Sequence, residues 1–200
     1  MECRSDFSLR PYNTFGVEAA AAGYVRFDEV DEIPAWLERH AGDGRRRLVI
    51  GGGSNLLLVD DFDGVVLHPL LKGIEVVSAD RRHVLVRAMA GENWDDLVAH
   101  AVENGWGGIE NLSLIPGSVG ASAVQNIGAY GMEAKAVIER VEAIALDSAE
   151  TASFSGADCG FAYRFSHFKG AWRGRYIVTA VVFRLSRRPD LVLDYPGVGE

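Results

Sequence analysis

Positive charge is scarce in this chain. Its 200 residues carry 20 lysines and arginines against 28 aspartates and glutamates, a formal charge of −8. A surface that grips nucleic acid or an anionic membrane needs a basic face, so neither partner is expected. The one local excess of base is Arg164, Lys169, Arg173, Arg175, Arg184, Arg187 and Arg188, and it reads as a solvated face until a motif singles out a member. Cysteine is nearly absent. Cys3 and Cys159 form neither a disulfide framework nor a metal-ligand spacing, and a reducing cytoplasm is the simplest compartment. The five histidines (His40, His68, His83, His100, His167) never pair at i+3 or i+4, so no metal site is expected. No window holds the ~18 uninterrupted apolar residues of a membrane span, and the N-terminus lacks the apolar core of a signal peptide.

What is present is an ordinary globular composition, 48% hydrophobic, enough for one domain divided into two lobes. Short β-like runs alternate with two helical patterns, a mixed α/β reading. Strands are expected at Gly23–Phe27, Arg47–Ile50, Leu56–Val59, Gly64–His68, Val137–Leu146 and Tyr176–Leu185, and a hairpin at Ile74–Ser78 with His83–Met89. Helices are expected at Val30–His40, with Ile33, Trp36 and Leu37 on one face, and at Glu92–Asn104, stopped by Gly105. Soft boundaries fall near Pro69 and near Arg187-Arg188-Pro189.

Three segments carry chemistry. Val49-Ile50 runs as a strand into Gly51-Gly52-Gly53-Ser54-Asn55. Successive glycines after a strand can turn several backbone N–H groups to one point, a nest that binds a pyrophosphate without basic side chains. The same residues can equally form a tight hairpin turn. A Walker loop needs Gly-Lys-Ser/Thr where Asn55-Leu56 stand. A Rossmann turn needs a third glycine within a following helix, where Leu56 and strand-like residues stand instead.

The second segment, Leu112 to Gly131, packs four glycines, several serines, a Gln-Asn pair and a tyrosine into twenty residues without formal charge. Glycine lets a backbone approach a flat or phosphorylated ligand, and hydroxyls and amides hydrogen-bond it without charge. Pro116, Gly117, Gly120 and Gly128 to Gly131 set the backbone; Ser118, Ser122, Gln125 and Asn126 offer polar contacts. The stretch reads as a wall against a large, polar, partly anionic small molecule, since a buried structural loop has little use for so many unpartnered amides and hydroxyls. The third segment, Gly160 to Lys169, sets Arg164 between Tyr163 and Phe165. A partly desolvated guanidinium can hold a carboxylate bidentately, although an aromatic-flanked arginine is also commonly a cation–π or packing residue.

Together with Asn13-Thr14-Phe15, the motifs Gly51-Gly-Gly-Ser-Asn, Ile115-Pro-Gly-Ser-Val-Gly-Ala, Gln125-Asn-Ile-Gly-Ala-Tyr-Gly and Tyr163-Arg-Phe-Ser-His-Phe-Lys occur in the order and approximate spacing of one family. From about Ser8 to Gly197 the chain resembles the UDP-N-acetylenolpyruvoylglucosamine reductases, flavoenzymes of bacterial peptidoglycan precursor synthesis. The resemblance implies an α+β fold, a two-lobed FAD-binding domain of the vanillyl-alcohol-oxidase (PCMH) type, with lobes at 1–68 and 69–188. Residues 189–200 would begin a missing substrate-binding domain.

By the same resemblance, noncovalent FAD would be held by Asn13, Thr14, Gly51, Gly52, Gly53, Ser54, Asn55, Pro116, Gly117, Ser118, Gly120, Ala121, Ser122, Gln125, Asn126, Gly128, Ala129, Tyr130 and Gly131. NADPH would donate hydride, and the UDP-sugar would meet Tyr163, Arg164 and Tyr195. Arg164 would be the catalytic cation beside the enolpyruvyl carboxylate. The family's proton-donating Ser or Cys and its assisting Glu match nothing between Met1 and Glu200; Ser118, Cys159 and Ser166 do not stand in that motif. The chain therefore reads as an N-terminal part of a monomeric reductase, with an FAD-binding module lacking turnover as the alternative.

Overall fold

The computed structural model describes residues 1–193 together with 195 and 196. Asp194 and residues 197–200, part of the segment read as opening a further domain, lie outside the described residues.

The chain begins with an edge strand, β1 (Glu2–Ser8), antiparallel to β2 (Ala20–Phe27). Helix α1 (Glu32–Arg39) then crosses over and buries Ile33, Trp36 and Leu37, the apolar face spaced for an amphipathic helix. It is followed by β3 (Arg47–Val49) and β4 (Phe62–Pro69), and β4 pairs in parallel with both β2 and β3. The first sheet thus runs β1-β2-β4-β3. Leu56 to Val59, expected as a strand, is irregular chain with Leu57 and Val59 in solvent. Its apolar residues had suggested pairing, but no neighbouring strand takes them up.

The second lobe opens with the expected hairpin, β5 (Ile74–Ala79) and β6 (His83–Met89). Helix α2 (Trp94–Glu103) follows, its N-cap Asn93 accepting from the amides of Asp95 and Asp96 and its end marked by Gly105 at φ +70°. A short helix α3 (Val119–Gln125) lies inside the stretch read as a wall. Next come a two-rung hairpin, β7 (Gly128–Ala129) with β8 (Met132–Glu133), and the strands β9 (Ile138–Ala145), β10 (Thr151–Ser155) and β11 (Tyr176–Ser186). The second sheet is antiparallel in the order β10-β9-β11-β6-β5. Strand β11 sits at its centre, buried from Ile177 to Phe183, as a run whose one polar member is Thr179 requires.

Burial divides into three cores. Trp94, Leu97, Val119, Val181 and Phe183 fill the space between the second sheet and α2 with α3. Phe27, Trp36 and Leu67 of the first lobe pack against Met89, Ile144 and Ile177 of the second, which fixes the lobes to each other. A smaller core of Leu9, Tyr24, Ile50 and Val66 underlies the loops that end at Gly51.

Candidate functional site

The glycine segments of the two lobes meet. Adding a Cβ to Gly51 would bring it within 2.6 Å of Ser118 Oγ, and adding one to Gly52 within 3.2 Å of Gly117 Cα. A Cβ on Gly53, at φ +68°, would run into the Tyr12 carbonyl. Gly52 and Gly53 thus lie against other backbones and Gly51 against a side chain, approaches that successive glycines permit. Ser54 Oγ donates to Pro116 O at 3.0 Å, and Thr14 N donates to Gly53 O at 3.3 Å, so three separate loops lock together. Among the described residues, the amides of Gly51 to Asn55, Gly117 and Ser118 donate to no protein acceptor. Free N–H groups gathered by loops that leave no room for side chains make an anion cradle.

Several residues read as ligand contacts instead build the cradle. Asn13 is buried; its Nδ2 donates to Leu9 O (2.9 Å) and Val17 O (3.1 Å) while its Oδ1 accepts from Val17 N (2.9 Å). It folds the N-terminal loop back and brings the Tyr12 carbonyl onto Gly53. Ser122 Oγ is spent on Val119 O at 2.6 Å. Asn126, fully buried at φ +46°, donates to Ala162 O (2.8 Å) and accepts from Lys135 N (2.9 Å). Gly120 lets α3 approach the second sheet, where a Cβ would lie 2.8 Å from that of Ala90. The expected polar contacts from Ser122 and Asn126 are therefore corrected. A segment that must hold a special backbone path spends its amides and hydroxyls on itself.

A Cβ added to Gly51 would also lie 3.4 Å from that of Ala121, and Gln125 Oε1 accepts from Lys169 Nζ at 2.5 Å. Tyr130 (φ +47°) and Gly131 (φ +81°) form the turn between β7 and β8, the left-handed pair a two-residue hairpin needs. Arg164 sits in another two-residue turn, alone left-handed at φ +52°, closed by reciprocal backbone bonds between Ala162 and Phe165 at 3.0 Å each. Its Nη2 donates to Gly128 O, its Cζ lies 5.0 Å over the Tyr163 ring, and Lys169 Nζ donates to its carbonyl at 3.0 Å. The two turns are thus joined through Arg164, and Tyr163, 80% exposed, stands at the tip. Tyr195 packs edge-on against Tyr130 with centroids 5.6 Å apart.

Two contributors gave no sequence signal, and a third, Lys169, entered only as the last residue of the Tyr163 motif and as one more base in the late basic run. Asn111 Nδ2 donates both to Tyr130 O (3.1 Å) and to Val192 O (2.8 Å). Asp95 Oδ1 accepts from Ser113 Oγ and Leu114 N. None departs from its neighbours in composition, so only the fold reveals their contacts. Cys159 is buried, its thiol pushed up to about 12 first by burial and then by Asp158, and it donates to Ser155 O. Ser166 is likewise buried and donates to Val124 O at 2.7 Å. Neither is poised to give up a proton to a ligand. Among the described residues, no group of three His, Cys, Asp or Glu side chains could hold a metal ion, and no helix is long and apolar enough to cross a membrane.

A family model described as an FAD binding domain matches residues 21–151, from β2 through the cradle and the wall to β10. The chain belongs to the FAD-binding domain family. Within that family it is similar to the UDP-N-acetylenolpyruvoylglucosamine reductase of Chromobacterium violaceum, at 48% identity over 99% of this chain and 58% of that protein. Among solved structures it matches the reductase of the same name, MurB, from Thermus caldophilus, with TM-score 0.71 and 28% identity over 94% of this chain and 63% of that one. BBE-like 1 variant D396N from Physcomitrella patens superimposes with TM-score 0.60 at 16% identity, covering 88% of this chain and 38% of that one, a likeness of fold alone. The chain spans little more than half the length of the curated relatives it matches. The expected two-lobed, mixed α/β, PCMH-type FAD-binding fold is the fold observed. The cradle also fits the group the family binds: FAD carries a diphosphate, and the free amides of Gly51 to Asn55 offer hydrogen bonds to one.

Proposed function

We propose that this chain is the cofactor-holding part of an FAD-dependent reductase that converts the enolpyruvyl ether of UDP-N-acetylglucosamine to UDP-N-acetylmuramate with NADPH as hydride donor. The observation that carries the reading is the joining of Arg164 to the wall. One basic side chain, held by Gly128 O and Tyr163, is bonded to the same wall whose Gly117 and Ser118 amides join a cradle that suits a dinucleotide diphosphate. The 48% identity to a reductase of that name supports the substrate class.

In this reading Gly51 to Asn55, Gly117 and Ser118 hold the FAD diphosphate, and Ala121, Gln125, Ala129 and Tyr130 line the remainder. Bound FAD supplies a two-electron carrier that accepts hydride from the nicotinamide and passes it to carbon. Arg164 holds the substrate carboxylate. Hydride addition to the enolpyruvyl double bond leaves negative charge that spreads into that carboxylate, so a fixed cation there favours the transition state over the ground state. Tyr163 stacks on the guanidinium and fixes its plane, and Tyr195 borders the sugar-diphosphate side. Peptidoglycan precursor synthesis in the cytoplasm, by a monomer, follows from the same reading.

A second reading, a flavin-binding module without turnover, is favoured by one observation. Cys159 and Ser166, the nearest thiol and aliphatic hydroxyl to Arg164 in sequence, are buried and engaged elsewhere, so neither is set to protonate the product. Stopped-flow mixing of the photoreduced, FAD-loaded chain with the enolpyruvyl UDP-sugar separates the two. Rapid reoxidation of the flavin supports the reductase, retention of reduced flavin supports the module, and a chain that remains colourless after incubation with FAD and desalting overturns both.

A further inference from the structure

Leu114 is the least economical residue of the wall. It is 84% exposed, packs into none of the three cores, and holds φ at +60°, a conformation branched L side chains rarely adopt. An exposed apolar side chain in a strained backbone contributes nothing to the folded chain by itself. Yet the conformation is enforced. Both ends of the loop are pinned to the first turn of α2: Trp94 Nε1 donates to Leu112 O at 2.7 Å, and Trp94 N donates to Gly117 O at 3.0 Å. Between those pins a single carboxylate oxygen, Asp95 Oδ1, accepts from Leu114 N at 2.6 Å and from Ser113 Oγ at 2.9 Å. These bonds, the Leu114 amide foremost, hold the Asp95 carboxyl below the usual range, so it is ionised at neutral pH.

Leu114 stands on the chain between two landmarks. Asn111 is bonded to the turn at Tyr130, the hairpin that Arg164 clasps, and Pro116 O accepts from Ser54 at the cradle. A cofactor whose diphosphate lay in the cradle and whose reactive end reached towards Arg164 would run along the loop that carries Leu114 from the one landmark to the other. We infer that Leu114 is a contact for the isoalloxazine end of the cofactor, and that Asp95 is a positioning residue that presents it by holding the loop in its left-handed turn. The inference rests on the FAD reading above. It adds a specific apolar contact and a carboxylate that touches no ligand.

The test uses the chain itself, titrated with FAD by quenching of flavin fluorescence and with ADP by displacement of FAD. ADP carries the adenine and diphosphate but no isoalloxazine. Leu114→Gly removes the side chain and suits φ +60°, so the variant is expected to fold with an unchanged or higher Tm. It should bind FAD about tenfold more weakly, the loss of part of one apolar side chain's burial, with ADP affinity unchanged and the visible spectrum of bound flavin shifted. Asp95→Ala should weaken FAD similarly in the native background and have no further effect on FAD binding when combined with Leu114→Gly, a coupling that a merely structural carboxylate does not give. A Leu114→Gly variant with native FAD affinity and spectrum overturns the inference while leaving the cofactor reading intact. Equal loss of FAD and ADP overturns the ring assignment, and a native chain that binds no FAD overturns the cofactor reading and this one with it.

Discussion

Tyr24 Oη and His68 Nδ1 lie 2.8 Å apart in the small core beneath the cradle. The Tyr12 ring meets His68 edge-on at 5.5 Å, and the Tyr12 carbonyl is the group against which Gly53 is packed. Burial, with the nearby Arg26 charge second, lowers His68 to about 4. The folded chain therefore favours the neutral imidazole. The stabilisation is fully present above the ordinary value near 6.5 and is lost as pH falls from there towards 4. A shift of that size corresponds to about 3 kcal/mol. Urea unfolding followed across this window should show the loss in the native chain, and His68→Gln should flatten it. An unchanged slope in the variant would place the acid sensitivity elsewhere.

Gly53 and Gly42 have nearly the same backbone, φ +68° and +74°, but different surroundings. A Cβ at Gly42 meets nothing within 4 Å, whereas one at Gly53 meets the Tyr12 carbonyl. Gly42→Ala should cost about 1 kcal/mol from the left-handed conformation alone and leave FAD uptake intact. Gly53→Ala must displace either the Asn13 loop or the cradle, so retention of FAD after desalting should be lost. Equal FAD retention by both variants would show that the Tyr12 contact does not shape the site.

The wall was legible as a special segment, but its internal assignments were not. Composition identifies Gly117 and Ser118 as loop and Gly120 as one more wall glycine, but it cannot tell a glycine that admits a ligand from one that admits a strand. Gly120 is the second kind, set against Ala90. Asn126 and Ser122 fail for the same reason: a polar side chain in a glycine-rich run looks available until its partners, Ala162 O and Val119 O, are brought to it from elsewhere in the fold or from its own helix. Strand β1 escaped notice because Glu2 to Ser8 is an edge strand with mostly exposed side chains and no apolar alternation. The core elements α1, α2 and β11 were read correctly in kind because one face, or a whole strand, is apolar and nothing else explains that.

Arg164 donates to Gly128 O through Nη2 while its Cζ lies 5.0 Å over the Tyr163 ring, two contacts that use separate parts of one fork. Lysine keeps the charge but can neither stack as a plane nor bond the wall and a carboxylate together. Arg164→Lys should leave FAD affinity within about twofold of native, while the rate at which the enolpyruvyl UDP-sugar reoxidises reduced flavin falls by about a hundredfold, the order seen when a fixed transition-state donor is removed. The comparison requires a chain that turns over, and its two readouts are independent. Parallel loss of FAD affinity and rate would make Arg164 a brace for the wall and not a catalytic residue.

Arg47 joins the lobes. From β3 its Nη1 donates to Leu146 O, just beyond β9 in the second sheet, at 2.7 Å, and its Nη2 donates to His40 O at 2.9 Å. Its Cζ lies 5.5 Å over the Trp36 ring, next to the core shared by the lobes. Removing the guanidinium leaves Leu146 O without its donor, at about 1–3 kcal/mol where water cannot replace it, while His40 O keeps the Asp43 amide at 3.4 Å. Arg47→Met keeps the apolar stem and should lower the unfolding free energy by about 1–3 kcal/mol. Arg47→Lys can reach one carbonyl at a time and should fall between the two. Because the cradle is closed from both lobes, by Gly51 to Asn55 on one side and Gly117 with Ser118 on the other, loosening this link should also weaken FAD. Added FAD should then recover part of the stability lost in Arg47→Met by binding only the closed arrangement. If FAD raises the midpoint of the native chain and of Arg47→Met by the same amount, the link does not govern closure of the cradle.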